Sequence, residues 1–431
     1  MPGGTTMASP FTFNASALAQ HRTLRAFHNP DYRLLWPANL LSYTSRWMQM
    51  TILGWLVLQL TDSPWHVALV GFFGMAPMLV LGLVGGLLAD TANRKTVILS
   101  TQIAGLSSST IMLALLATGS EEFWHAYVIV SVTGTSWALE MPSRRSAIHD
   151  LLGSSGMTNG VAMDSVGMSA SRMIGPALAG LLISTTGFIG AYVAVVVSYL
   201  TAVALLWRFT LASTPGNGRE SASLTKNLVE GLRYVWGHPA LRATVTVTVL
   251  MNLLMFPYQH LVPVISRDIL GVGPAPMGVL LAGAGMGAMI GAVLVASATS
   301  IRHHGRLYIG GSALSFVALL LFATSRWYSL SLPALVLLGL GTAGFSTMQA
   351  SIVMFVARMD VRGKALGVVS LAIGASPIGA LMEGVVADIL GPEFALGINA
   401  TAGLVCMALV ATLLPALRRP MTPDDAGTAY A

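Results

Sequence analysis

The sequence predicts an all-α membrane protein: twelve transmembrane helices in two pseudo-symmetric six-helix bundles. Three observations lead there. Only 9% of the 431 residues are charged and 54% are hydrophobic, against roughly 25% charged in a soluble domain. Uncharged runs recur at 66–89, 96–120, 173–207, 243–266, 269–301, 307–325, 327–357 and 394–417, and about 20 mainly apolar residues suffice to cross a bilayer. A polar stretch at 210–240, the longest in the chain, then divides six spans from six. A large β-barrel is excluded, because the runs are too long and do not alternate.

In chain order, NPDYR at 29–33 leads into a first span at 34–60, which carries a polar stripe. The second and third, 66–89 and 96–118, are uncharged runs parted by a short charged loop. The fourth, 123–144, ends in Glu140, Arg144 and Arg145. The run that follows holds two spans, 159–184 and 188–209, with the breaker STTGFIG between them. Beyond the polar stretch come 241–265, 275–299, 306–325, 330–357, 364–389 and 393–416, the eleventh interrupted by Glu383. Within 210–240, residues 221–236 read as an amphipathic helix lying on the membrane and tying the halves together.

Charge placement sets the orientation. With the N-terminus inside, nineteen of the 23 basic residues are cytoplasmic; Arg267 and Arg326 fall outside, and Arg46 and Arg172 fall within spans. The expected location is the cytoplasmic (inner) membrane with both termini cytoplasmic. A pI near 9.7 then reflects topology and attraction to anionic lipid. It does not point to nucleic acid, because the charge is scattered over short loops. The first twenty residues carry no cleavable signal pattern. Cys406 is the only cysteine, which excludes an internal disulfide and a Cys-rich metal site; no metal and no cofactor is expected.

Weak internal repeats support the division. NPDYR at 29–33 resembles HPALR at 238–242, and GPALAGLLISTTG at 175–187 aligns with GALMEGVVADILG at 379–391, pairing Gly175 with Gly379 and Gly180 with Gly384. The predicted organisation is a cytoplasmic segment 1–33, a bundle 34–209, a linker 210–240, a bundle 241–417 and a tail 418–431. Repeated halves suit alternating access about a central site.

The loop GGLLADTANRK at 85–95 resembles the signature loop of the major facilitator superfamily, G-x-x-x-D-[RK]-x-G-[RK]-[RK]. Gly86, Asp90, Arg94 and Lys95 match; Thr91 and Asn93 depart, although Asn tolerates a left-handed turn. Further segments, GWLVLQLTDSPWHVALVG at 54–71, EMPSRRSAI at 140–148, SRMIGPALAG at 171–180 and RGKALGVVS at 362–370, resemble the branch that contains enterobactin exporters and macrolide efflux proteins. The resemblance runs from about 27 to 417 and implies the major facilitator fold and a monomer. It also implies a cytoplasmic latch. Gly86 lets helix two approach the other half, and Asp90 faces the positive N-terminal end of helix eleven near Gly363. Arg94, Lys95, Glu140, Arg144 and Asp164 are grouped with this latch. Arg172, Gly175 and Pro176 match an Arg-x-x-Gly-Pro segment of the branch, and Gly175, Pro176 and Gly180 read as helix-packing positions.

Charges inside spans are costly and mark functional positions. Asn39, Ser42, Arg46 and Gln49 recur at spacings of 3, 4 and 3 and form one polar helix face, expected to line a water-filled cavity. Arg172 reads equally as a substrate contact or a structural ion-pair member. Asn252, Phe256 and Gln259, with His260, suit an amphiphilic organic molecule. Glu383 is the candidate proton site, its rival role being a permanent arginine partner. No G-x-x-x-x-G-K-[ST], H-E-x-x-H or G-x-S-x-G occurs, so an enzyme is not expected. The proton gradient is the expected energy source. The function implied is proton-coupled export of an amphiphilic small molecule, a drug, antibiotic or siderophore-like metabolite. A lipid flippase, an uptake transporter and a transport-inactive scaffold stay open. The expected partners are that cargo and membrane lipid.

Overall fold

Inside a bilayer the backbone finds no water, so each uncharged run must close its own hydrogen bonds as a helix. The computed structural model describes residues 22–211, 224–297, 303–359 and 361–418, and within them all side chains but those of 22–24, 82–91, 224–228, 415 and 418. No strand occurs among the described residues.

The N-terminal half begins with α1 (Tyr32–Thr61), α2 (Pro64–Thr91) and α3 (Arg94–Thr118). A helical stretch of 86 residues follows, Phe123–Arg208. Straight, it would extend about 130 Å, some four times the hydrocarbon thickness. It breaks at Gly153 (φ 63°) and Gly187 (φ 70°), where positive φ favours glycine. The segments 123–152, 154–186 and 188–208 are α4, α5 and α6. The expected loop at 145–158 is therefore corrected: with few strong breakers besides Gly153, helix continues across most of it.

The linker helix α7 is Leu224–Gly237, close to the expected 221–236. The C-terminal half comprises α8 (Pro239–Ile269), α9 (Pro274–Ser297), α10 (His304–Thr324), α11 (Tyr328–Val356), α12 (Arg362–Leu390) and α13 (Pro392–Leu413). Setting α7 aside, these helices accommodate the twelve predicted spans. Their outer faces are apolar: Val80, Val293 and Ile389 are 70%, 62% and 73% exposed, as suits side chains that meet lipid tails.

Local chemistry fixes the helix starts. Asn29 Oδ1 accepts from the backbone N–H of Asp31 and Tyr32 at 2.9 and 3.2 Å, capping α1. Asp31 Oδ1 accepts from Thr210 N at 2.8 Å and binds the start of α1 to the end of α6. Asn93 has φ −66° and ψ 114°, and its side chain accepts from Thr96 N. The residue that departs from the signature loop is thus an extended N-cap of α3, not the left-handed turn allowed for it.

The halves meet chiefly through α5 against α9, α2 against the second part of α12, and α1 and α2 against residues 258–264. Glycines set the spacing. A Cβ on Gly180 would lie 2.3 Å from Pro274 O and 3.0 Å from Gly278 Cα, and one on Gly384 would lie 2.5 Å from Ala68 Cβ. The aligned glycines of the repeat therefore both sit in contacts between the halves.

The two ends of the molecule differ. Remote from α7, Arg267 donates to Asp62 Oδ1 at 2.7 Å and Ser63 to Asp388 Oδ1 at 2.8 Å, while Ala275 N donates to Ser184 Oγ at 3.0 Å. Near α7, residues 239–250 and 362–373 pack on α7 itself, where Lys364 pairs with Glu230. Asp62 is 80% exposed in its ion pair. Asp62→Asn is expected to cost no more than about 1 kcal/mol, read as a melting shift of the purified protein.

Candidate transport cavity

The polar face of α1 turns in two directions. Asn39, Ser42 and Gln49 are buried and bonded within their own half. Asn39 Nδ2 donates to Asp164 Oδ1 at 2.7 Å, Ser42 to Gln102 Oε1 at 2.6 Å and Gln49 Nε2 to Ser109 Oγ at 2.8 Å. The expectation that these three line the cavity is corrected: close packing of α1 on α3, α4 and α5 leaves them as interhelical glue. Arg46, between them, does face the cavity.

Glu140, Arg144 and Asp164 join that network. Arg144 is fully buried; it donates to Glu140 Oε2 at 3.1 Å, to Ser42 Oγ at 3.3 Å and to Asn39 Oδ1. Thr101 and Gln102 donate to the same Glu140 oxygen at 2.8 and 2.6 Å, and Tyr43 donates to Asp164 at 3.2 Å. In this structure these bonds all lie within the N-terminal half, with Arg144 paired to Glu140. Arg94 pairs with Asp150 in that half, and Lys95 donates to the carbonyl oxygens of Trp207 and Phe209. Gly86 and Asp90, the centre of the expected latch, lie outside the described side chains.

Two adjoining chambers lie between the halves. Both are lined by Trp47, Arg172, Phe256 and Gln259. Arg46 and Asn252 line the second alone, and His260 the first. Of the eight expected cavity residues, the structure brings together Arg46, Arg172, Asn252, Phe256 and Gln259. Each arginine lies over a tryptophan: Arg46 is 4.8 Å from the Trp137 ring and Arg172 5.1 Å from Trp47. Arg172 has no carboxylate partner among the described residues.

The opposite wall is made by broken helices. Residues Met251–Met255 of α8 form a π-helical turn closed by Phe256 N to Met251 O at 3.0 Å. Pro257 follows, whose missing N–H cannot serve the ordinary ladder. The bulge sets Asn252, Phe256 and Gln259 on the cavity side. Gly379 lets α12 approach it: a Cβ there would meet Leu253 O at 2.3 Å. In α12 the helix breaks at Gly374 and Ala375, and Ile373, Gly374, Ser376 and Pro377 line the second chamber. Backbone so interrupted is tolerated where it borders a cavity. Met75, Met78, Trp137 and Met168 also line that chamber and were missed from sequence, since nothing separates them from core residues there.

Gly175 packs within the N-terminal half, where a Cβ would lie 2.6 Å from Trp47 Cβ; the carbonyl of Pro176 would lie 2.4 Å from a Cβ on Gly278. Glu383 lies outside both chambers. It is 1% exposed; Oε1 accepts from Asn399 Nδ2 at 3.2 Å, and Oε2 has no partner. No arginine pairs with it among the described residues.

The sequence profile described as "transmembrane secretion effector" matches residues 21–426. The chain belongs to the major facilitator superfamily. Within it the chain is similar to the multidrug efflux pump Tap of Mycolicibacterium fortuitum, 24% identical over 84% of this chain and 90% of the relative. It is also similar to the staphyloferrin A transporter of Staphylococcus aureus, 23% identical over 82% and 89%. A bacterial homologue of the human lysosomal transporter Spinster, solved in an inward-facing, unoccupied conformation, superposes with TM-score 0.66 at 14% identity, covering 90% and 96%; that likeness shows the fold. This facilitator is a multi-pass membrane protein of the efflux and siderophore branch, and its relatives are transporters, not enzymes.

Proposed function

We propose that this facilitator exports an amphiphilic small molecule across the cytoplasmic membrane in exchange for protons. The observation that carries the reading is the chambered cavity between the halves, lined by arginine, amide and aromatic groups and bordered by broken helices. The proposed orientation puts α7 and both termini on the cytoplasmic side. The contacts through Arg267 and Asp62, Ser63 and Asp388, and Gly180 and Gly278 then form the outer closure of a state open to the cytoplasm. In the opposite state Gly86 and Asp90 latch the cytoplasmic end. The unit is one chain, with bundles at 34–209 and 241–417 rocking about the linker.

Glu383 is proposed as the proton carrier. Its unpartnered oxygen is buried, and the neighbouring Gly384 packs on Trp65 and Ala68 of α2. Parting α2 from α12 at the outer end would loosen the packing beside this carboxyl and let it exchange a proton with the outside.

The test is proton movement in everted vesicles energised to a steady pH gradient and challenged with a panel of macrolides, catecholate siderophores, cationic dyes and anionic amphiphiles. Wild type is expected to dissipate the gradient with one cargo class, and Glu383→Gln to lose that response while still binding the cargo. Equal responses from the two variants would remove Glu383 from coupling. No response to any class would count against coupled export.

A further inference from the structure

This inference rests on the reading of the central cavity as the cargo site, and it concerns the charge of that cargo. Arg46 and Arg172 both line the second chamber. No Asp or Glu lines either chamber among the described residues. The two buried acids of the same half are already engaged, Glu140 by Arg144 and Asp164 by Asn39 and Tyr43, although Glu140 shares a small neighbouring pocket with Arg46. Each guanidinium carries five N–H donors. Arg46 gives one to Thr133 O at 3.1 Å and a weak one to Met75 Sδ at 4.0 Å, and Arg172 has no hydrogen-bond acceptor among the described residues. The C-terminal wall of the second chamber answers only with neutral groups, among them Asn252, Gln259 and the ring of Phe256.

A chamber with two positive charges and idle donors is complementary to an oxyanion, and a cation entering it meets like charge. We infer that the cavity selects an anionic amphiphile. One or two carboxylates, or comparable oxyanions, sit between Arg46 and Arg172, and a planar apolar body lies against Trp47 and Phe256.

The test uses the full-length protein in lipid nanodiscs and four probes sharing one ring system. These are naphthalene-2,6-dicarboxylate, 1-naphthoate, 1-naphthalenemethanol and 1-naphthylmethylammonium. Binding is read by equilibrium dialysis with empty nanodiscs subtracted. Both anions are expected to bind more tightly than the alcohol, and the ammonium most weakly. Arg46→Gln and Arg172→Gln should each cut the preference for naphthoate over the alcohol about tenfold in protein of wild-type melting temperature. An ammonium bound as tightly as naphthoate, no binding by any probe, or an unmoved preference in both variants overturns the inference. Because no gradient is present, anion selection without proton movement in vesicles refutes coupled export and leaves the inference standing. Gradient-driven flux of cations alone does the reverse.

Discussion

Valine at Gly278 is expected to raise access to the cavity from the end remote from α7 and to lower transport. A Cβ at this position would lie 2.4 Å from Pro176 O and 3.1 Å from Gly180 Cα, and neither backbone group can swing aside. The α5–α9 contact must widen. Overpacking of this kind costs about 1–3 kcal/mol, and it falls only on the state in which these helices touch. That corresponds to a population shift of roughly 5- to 150-fold toward the other state. The check uses a Cys406→Ser background with a single cysteine at Val70, a buried residue lining the first chamber. A membrane-impermeant maleimide applied from the outer side should label it several-fold faster in Gly278→Val. Gly310→Val is the control, because a Cβ there meets nothing within 4 Å. Equal labelling in all three proteins would mean that the contact does not govern access.

Loss of Arg144 is expected to be the most destabilising of the arginine substitutions. Arg144→Leu strands Glu140, 4% exposed, with only the hydroxyl of Thr101 and the amide of Gln102 to offset its charge. Breaking a buried pair on one side costs about 3–5 kcal/mol. Arg46 holds no carboxylate and carries a desolvation cost of its own, so Arg46→Leu should cost markedly less. Adding Glu140→Gln to Arg144→Leu should recover part of the loss by removing the stranded charge. Melting temperatures of the purified proteins in one detergent decide this. Equal falls for Arg144→Leu and Arg46→Leu would contradict the account of the network.

The fold was largely legible because bilayer physics leaves few options. An uncharged run of some 20 residues has to be a helix, and the amphipathic pattern expected at 221–236 meets the described helix Leu224–Gly237. Errors came where one residue acts against its surroundings. Gly153 bends a helix that the charges of Arg144 and Arg145 had marked as already finished. Asn93 supplies a cap where a turn glycine was expected. The π-turn at Met251–Met255 leaves no periodic trace, since Pro257 alone does not say whether the ladder kinks or bulges. The cavity was half legible. Arg46 and Arg172 stood out as charges in apolar helices, but a polar face at helical spacing cannot tell neighbouring helices from water. Asn39, Ser42 and Gln49 met helices, and Arg46, long enough to reach past them, met the cavity.

In the proposed transport cycle the halves rock about this cavity, opening one end as the other closes. Paired spin labels report it directly, one pair on Leu60 and Ile389 at the outer end and one on Asp150 and Arg362 near the linker. Distances would be measured in nanodiscs at acidic and alkaline pH, with and without the cargo found in vesicles, for wild type and Glu383→Gln. Opposite changes are expected at the two ends in wild type, with a pH response that disappears in Glu383→Gln while the cargo response remains. Changes of the same sign at both ends, or fixed distances under every condition, would contradict that cycle.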